Sequence, residues 1–165
     1  MLRIEGKRGV ENNWLDGYPG IRIAKESDLE RILEIERLCF ASEWSRHQFA
    51  SSIKEIFFVF QEKEEIQGFL IACPCEIAKR AIIMRIAVHP DHQGRGLASR
   101  LITAALDKFQ QMGLKCVELD VDIVKNGAIK LYEKFGFKIM RVATVNYDED
   151  TCFLIMKLIL HNRKV

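Results

Sequence analysis

Gln93-Gly94-Arg95-Gly96-Leu97-Ala98 carries the clearest chemical signal in the chain. It follows an apolar run that ends at Val88 and leads directly into a helical pattern. The first N–H groups of a helix lack intrahelical partners, and the helix dipole adds partial positive charge there, so such a turn binds anions with backbone alone. Gly94 and Gly96 let the main chain come close to a ligand, and Arg95 adds a cation beside it. Further along, Glu118, Asp120 and Asp122 alternate with Val117, Leu119 and Val121. A strand there would put three carboxylates on one face. The turn suits a phosphate, and the carboxylates suit either acid–base work or a solvated strand face.

Two familiar phosphate loops fit poorly. A P-loop ends in Gly-Lys-Ser/Thr, and Gly96-Leu97-Ala98 does not supply that ending. A dinucleotide fingerprint is the stronger rival, because Gly94-Arg95-Gly96 begins one and Glu118 or Asp120 lies about 20 residues on. Its third small position is Ser99, however, and a proline-containing approach, His89-Pro90-Asp91-His92, replaces the tight turn. A nicotinamide-dependent oxidoreductase is therefore disfavoured.

The elements that must position these groups are legible from periodicity. Residues 1–20 have no clear period and read as an extension, with Trp14 and Tyr18 available to order it. Ile21-Arg22-Ile23 is a short strand. Ser27 with Glu30 predicts a capping box opening a helix that buries Leu29, Ile32, Leu33 and Leu38, and Ser45 with Gln48 repeats the signal before Phe49 and Ile53. Three apolar runs, 57–60, 66–77 and 81–88, are joined by turns short enough to require antiparallel pairing. Leu97, Leu101, Ala105 and Phe109 recur at i+4 steps in a helix closed by Gly113. A strand through Val117–Val121 follows, then a helix with Ala128, Leu131, Tyr132 and Phe135 on one face, closed by Gly136. Runs at 137–145 and 151–160 read as a final hairpin. The order predicts a mixed, mostly antiparallel sheet of about seven strands with about four flanking helices, an α/β (α+β) domain over 21–160, and a tail at 161–165.

Composition narrows the class. One domain suits 165 residues, and 48% hydrophobic residues can supply its core. Lys+Arg of 25 against Asp+Glu of 23 is too balanced for a dedicated nucleic-acid or membrane binder. The apolar runs fall well short of the roughly 20 residues that span a bilayer, and Met1–Val10 has no signal-peptide pattern. Cys39, Cys73, Cys75, Cys116 and Cys152 are an odd, scattered set without a clustered partner for a metal, and they read as reduced thiols of a cytoplasmic protein.

Gln93, Gly96 and Ala98 match the Gln/Arg-x-x-Gly-x-Gly/Ala loop of the GNAT superfamily of acyl-CoA N-acyltransferases, and Ile86-Ala87-Val88-His89-Pro90 resembles its usual approach. Ala128-Ile129-Lys130-Leu131-Tyr132-Glu133-Lys134-Phe135-Gly136-Phe137 resembles the second motif of that superfamily, and the element order matches its fold over roughly 21–160. Cys39-Phe40-Ala41-Ser42-Glu43-Trp44-Ser45 resembles the helix 1–helix 2 loop of the RimI-type protein N-terminal acetyltransferases, a loop that borders the acceptor groove.

The resemblance implies transfer of an acetyl group from acetyl-CoA to a primary amine by direct attack, without a metal. The amine implied is a protein or peptide N-terminus; a small-molecule amine, a lysine side chain and a non-catalytic acyl-CoA-binding module stay open. It implies cofactor contacts from Ile86, Ala87, Val88, Gln93, Gly94, Arg95, Gly96, Leu97, Ala98 and Ser99, with the oxyanion donor a backbone N–H near Val88. Asp120 stands in the base position, where RimI-type enzymes carry a glutamate, and Tyr132 stands in the acid position. Phe40, Trp44, Glu118 and Tyr147 are then expected at the acceptor. Lys125 departs from the pattern, occupying the place of a cofactor-contacting asparagine beside Asn126, and a pairing with a coenzyme A phosphate is expected of it. No carboxylate lies on the strand before the loop. Monomer and homodimer are both compatible with the sequence.

Overall fold

The structure, a computed structural model, describes residues 13–144 and 152–161. Seven strands form one sheet in the order β1-β2-β3-β4-β5-β7-β6. They are β1 (Ile21–Ile23), β2 (Ile56–Glu62), β3 (Glu65–Cys75), β4 (Arg80–Val88), β5 (Cys116–Asp122), β6 (Lys138–Thr144) and β7 (Cys152–Ile159). All neighbours pair antiparallel except β4 and β5, which run parallel. The α-helices among the described residues are α1 (Leu29–Cys39), α2 (Arg46–Ser52), α3 (Leu97–Gln111) and α4 (Asn126–Lys134). The expected mixed sheet with four helices is what forms. The last two strands make a hairpin, but β7 inserts between β5 and β6 rather than β6 joining β5.

Each face of the sheet buries its own core. On one side α3 contributes Leu97, Leu101, Ile102, Ala105 and Phe109 at the spacing of one helical stripe, packed on Phe58, Leu70, Ile83, Val117, Leu119 and Val121. Tyr132 of α4 joins this core. On the other side Leu29, Ile32, Leu33 and Ile35 of α1 and Phe49 of α2 pack on Phe57, Val59, Phe69 and Ile71. The strand residues in this second core all come from β2, β3 and β4. Before β1, a 3-10 turn at Asn13–Gly17 sets Trp14 against Phe58 with ring centroids 5.5 Å apart, and the Tyr18 hydroxyl donates to Asp107 of α3.

Three local expectations are corrected. Ser27 and Glu30 form no capping box. A 3-10 turn at Glu26–Asp28 precedes α1, and Asp28 takes the capping role by accepting from the Lys25 N–H at 2.7 Å and from Arg22. Leu38 is 52% exposed, since it lies nine residues after Leu29, half a helical turn out of phase with the buried stripe. β3 ends at Cys75, and Ile77 stands exposed in the turn beyond it. The Ser45 box does form, with the Gln48 N–H on Ser45 Oγ at 3.3 Å and the Ser45 N–H on Gln48 Oε1 at 2.8 Å.

Candidate active site at the parting of two strands

β4 and β5 do not stay together. They pair only from Arg80↔Cys116 to Ile83↔Leu119. Beyond that β4 continues to Val88 against β3, while β5 continues to Asp122 against β7, so a cleft opens between them. The parting begins where the β3–β4 register shifts between Ile71 and Ala72, which face Arg85 and Ile83 and leave Met84 as the extra residue. A bulge of this kind bends the strand that carries it.

The open edge of β4 offers backbone donors. His89 N–H bonds to Gln67 O on the β3 side at 2.8 Å. Alternation along the strand then turns the N–H groups of Ile86 and Val88 away from β3, toward the cleft. The Val88 carbonyl points the same way and accepts from Gln93 Nε2 at 3.0 Å and Cys39 Sγ at 3.3 Å. Gln93 thus ties the loop back to its strand.

The loop itself is built by His89, whose Nδ1 accepts from the Asp91 N–H at 3.2 Å, and by a 3-10 turn at Pro90–His92. His89 and His92 thus serve the turn. Gly94 and Gly96 both have left-handed backbone, with φ of 76° and 77°. A Cβ placed on either would have nothing within 4 Å, so the space above the loop is open to a ligand. Gly96 is the N-cap of the 15-residue α3 and supplies no side-chain cap, leaving the N–H groups of the first turn, around Leu97, Ala98 and Ser99, directed at that space. Arg95 is exposed beside it, its Nη1 3.5 Å from His92 Nδ1. A backbone cradle, a helix N-terminus and an adjacent cleft fit a pyrophosphate with an extended arm.

The three carboxylates of β5 divide by role. Glu118 lies where β4 and β5 are still paired and sits 3.6 Å from both Arg80 and Lys157. Asp122 accepts from the Val124 N–H at 3.0 Å and shapes the turn into α4. Asp120, exposed and past the parting, lies across from Ile155 of β7. Tyr132 lies in the core on the opposite face of the sheet, close enough to Asp120 to feel its charge. It is 6% exposed, its ring packs edge-on to Phe137 at 5.9 Å, and burial, then the negative charge of Asp120, push its phenol up to about 12.

Between α1 and β4 lies a cluster that sequence reasoning missed. Glu36 is fully buried and accepts from Arg85 Nε at 3.0 Å, from Arg85 Nη2, and from the Trp44 N–H at 3.0 Å. Arg85 also donates to the Ser42 carbonyl at 2.6 Å and stacks over Phe40 at 3.8 Å and Trp44 at 5.4 Å. Lys125 crosses the cleft mouth: its Nζ lies 4.1 Å over the Phe40 ring and donates to the Cys39 carbonyl at 3.3 Å. Burial pushes the Cys39 thiol up from its ordinary range. Two signals were readable, since Glu36 falls on the buried stripe of α1 and Arg85 interrupts an otherwise apolar run. Phe40, Trp44, Lys125, Val88 and Gln93 are therefore brought together, whereas Glu118 is held apart from them. Asn126 opens α4 and is exposed, and Tyr147 lies outside the described residues.

The chain as a whole is similar to known proteins. The pattern of the Acetyltransferase (GNAT) family matches residues 29–137. The [ribosomal protein bS18]-alanine N-acetyltransferase of Escherichia coli strain K12 is 32% identical over 111 residues, covering 67% of this chain and 75% of that protein. An N-alpha-acetyltransferase of Sulfurisphaera tokodaii is 26% identical over 171 aligned positions, covering 94% of this chain and 98% of that protein. The crystal structure of the ribosomal-protein-S18-alanine N-acetyltransferase from Escherichia coli superposes with a TM-score of 0.76 at 27% identity, over 84% of this chain and 92% of that one.

Proposed function

This chain belongs to the GNAT acetyltransferase family, and we propose that it moves an acetyl group from acetyl-CoA to the N-terminal amine of a polypeptide. The observation that carries the reading is the parting of β4 and β5, with the glycine-lined start of α3 at its head and Asp120 and Tyr132 at its sides. The relatives named for N-terminal acetylation of proteins support the acceptor class.

On this reading the backbone of Gly94–Ser99 holds the pyrophosphate, with Arg95 adding charge. The arm lies along the free edge of β4, and the Val88 N–H receives the negative charge that builds on the thioester oxygen. An α-amine with pKa about 8 is largely protonated near neutrality. Asp120 attracts that cation and takes its proton, directly or through a water, because aspartate is shorter by one methylene than the glutamate usual at this place. The freed lone pair attacks the thioester carbon to form the C–N bond, the C–S bond breaks, and the second proton lost by the nitrogen ends on the departing sulfur, giving the free thiol of coenzyme A. The departing sulfur receives a hydrogen bond from Tyr132. A phenol raised to about 12 stays protonated throughout the working range, so it serves as a standing donor to the thiolate.

Phe40 and Trp44 line the acceptor mouth. Lys125 belongs to that mouth as well, because its ammonium is engaged with Cys39 and Phe40 rather than with the loop at 93–99. The protein is proposed to work in the cytoplasm, where its five free cysteines stay reduced. No helix among the described residues is long and apolar enough to cross a membrane.

The test is a competition by mass spectrometry. Peptides with a free N-terminus, the same peptides blocked at the N-terminus but carrying lysine, and a polyamine are offered together with acetyl-CoA. Gain of one acetyl group on the free N-termini alone supports the reading; acetylation confined to lysine or the polyamine refutes it.

A further inference from the structure

Among the described residues, the face of the sheet that α1 and α2 cover is only half covered. Their core takes strand residues from β2, β3 and β4, and no helix among the described residues lies over β5, β7 and β6 on that side. The carboxylate of Asp120 belongs to this open face. Resting on the reading of the site as an N-terminal acetyltransferase, we propose that the face is the track along which the acceptor chain lies, and that it selects chains with an acidic side chain at the third residue.

The register lays out the track. Directly opposed residues of neighbouring strands share a face. Crossing outward from the cleft, Asp120 faces Ile155, which faces Arg141; the next row is Asp122, Phe153 and Ala143; the row behind is Glu118, Lys157 and Lys138. Glu118 and Lys157 are 3.6 Å apart and answer one another. Asp120 and Arg141 do not, because Ile155 lies between them, and among the described residues neither takes part in an ion pair. The sequence of surfaces is therefore a carboxylate at the cleft, a half-buried apolar floor of Phe153 and Ile155, and an exposed guanidinium at the rim.

Charge and distance together set the position read. Neighbouring strands lie about 4.8 Å apart, so Arg141 stands about 10 Å from Asp120. An extended acceptor rises about 3.3 Å per residue. With its ammonium at Asp120, the chain's third residue lies about 6.6 Å along this line, its side chain points the same way as the first, and the long Arg141 side chain spans the remaining roughly 3 Å back to it. Lys138 and Arg141 make that end of the face cationic, and an acidic side chain complements it.

The experiment compares three peptide sets that differ only at the third residue, Glu, Gln or Lys, each with Ala, Ser or Met at the first. Initial rates of acetylation are measured for the wild type and for Arg141→Glu, with acetyl-CoA affinity checked in both. An exposed charge pair predicts kcat/KM about threefold to fivefold higher for Glu than for Gln, with Lys lowest. Arg141→Glu is expected to reverse that order while binding acetyl-CoA as the wild type does. Equal rates for the three peptides, or an order that Arg141→Glu leaves unchanged, overturn this inference and leave the N-terminal reading standing. If no peptide is acetylated while a polyamine or a lysine side chain is, the N-terminal reading itself falls and takes this inference with it.

Discussion

Arg85→Met is expected to damage both the fold and the acceptor side of the site, by a mechanism that can be dissected. Glu36 is 0% exposed and has four donor contacts, three from the Arg85 guanidinium and one from the Trp44 N–H. Removing Arg85 leaves a buried carboxylate with a single backbone donor. Losing one partner of a buried pair costs about 3 to 5 kcal/mol, and at about 2 to 4 °C per kcal/mol for a chain of this size the melting temperature should drop by roughly 6 to 20 °C. Replacing both members, Glu36→Leu with Arg85→Met, removes the stranded charge and should recover much of that loss. Urea denaturation of the two single variants and the double variant gives the coupling energy, expected at about 2 to 3 kcal/mol. Arg85 also holds the Ser42 carbonyl and stacks on Phe40 and Trp44. The acceptor KM should therefore rise in variants that still bind acetyl-CoA. An Arg85→Met protein within 1 kcal/mol of wild type, or single effects that simply add, would refute the reasoning.

Three further outcomes follow from the geometry. Tyr132→Phe keeps the packing against Phe137 and loses the donor to the leaving sulfur, so kcat should fall about a hundredfold with acetyl-CoA affinity unchanged, read by steady-state kinetics and calorimetry. Asp120→Asn should lower kcat/KM about a hundredfold near neutral pH. Part of that loss should return as the pH passes about 8, where the acceptor amine loses its proton unaided, and a pH–rate profile of the variant checks this. Asp28 lies under the Arg22 guanidinium, which donates to both its oxygens at 2.7 and 2.9 Å and holds its carboxyl below the usual range. Its contribution to stability is complete above the unfolded value of about 3.9 and is lost as the pH falls through the lower folded value. Asp28→Asn should cost about 1.5 to 3 kcal/mol at pH 7 and flatten the acid limb of the stability curve, measured by urea denaturation across pH.

Elements whose shape follows from local pattern were legible in the sequence. The i+4 stripe of α3, the alternation of Val117, Leu119 and Val121, and the reciprocal Ser45–Gln48 box depend only on neighbours within a few residues. What escaped depends on partners far along the chain. Ser27 has the right type and spacing for a cap, but Arg22 sits against Asp28, and Asp28 captures the role. The place of β7 between β5 and β6 is a matter of sheet pairing that no local period encodes. The direction of Lys125 is set by the Cys39 carbonyl and the Phe40 ring, 86 residues away in the chain for the first of them. The Glu36–Arg85 pair left a trace as two charges in apolar patterns, yet their meeting required α1 to lie across β4.

Titrating the protein with acetyl-CoA in a calorimeter, with Gly96→Glu alongside, tests most directly whether the cleft and the start of α3 receive acetyl-CoA. A side chain at Gly96 meets nothing within 4 Å, and its left-handed backbone costs only about 1 to 2 kcal/mol, so the variant should fold. Its carboxylate would fill the space above the helix start and repel a pyrophosphate. Micromolar binding by the wild type, abolished in a folded Gly96→Glu protein, is the predicted result. A wild type that does not bind acetyl-CoA, or a Gly96→Glu variant that binds it unchanged, would contradict the account.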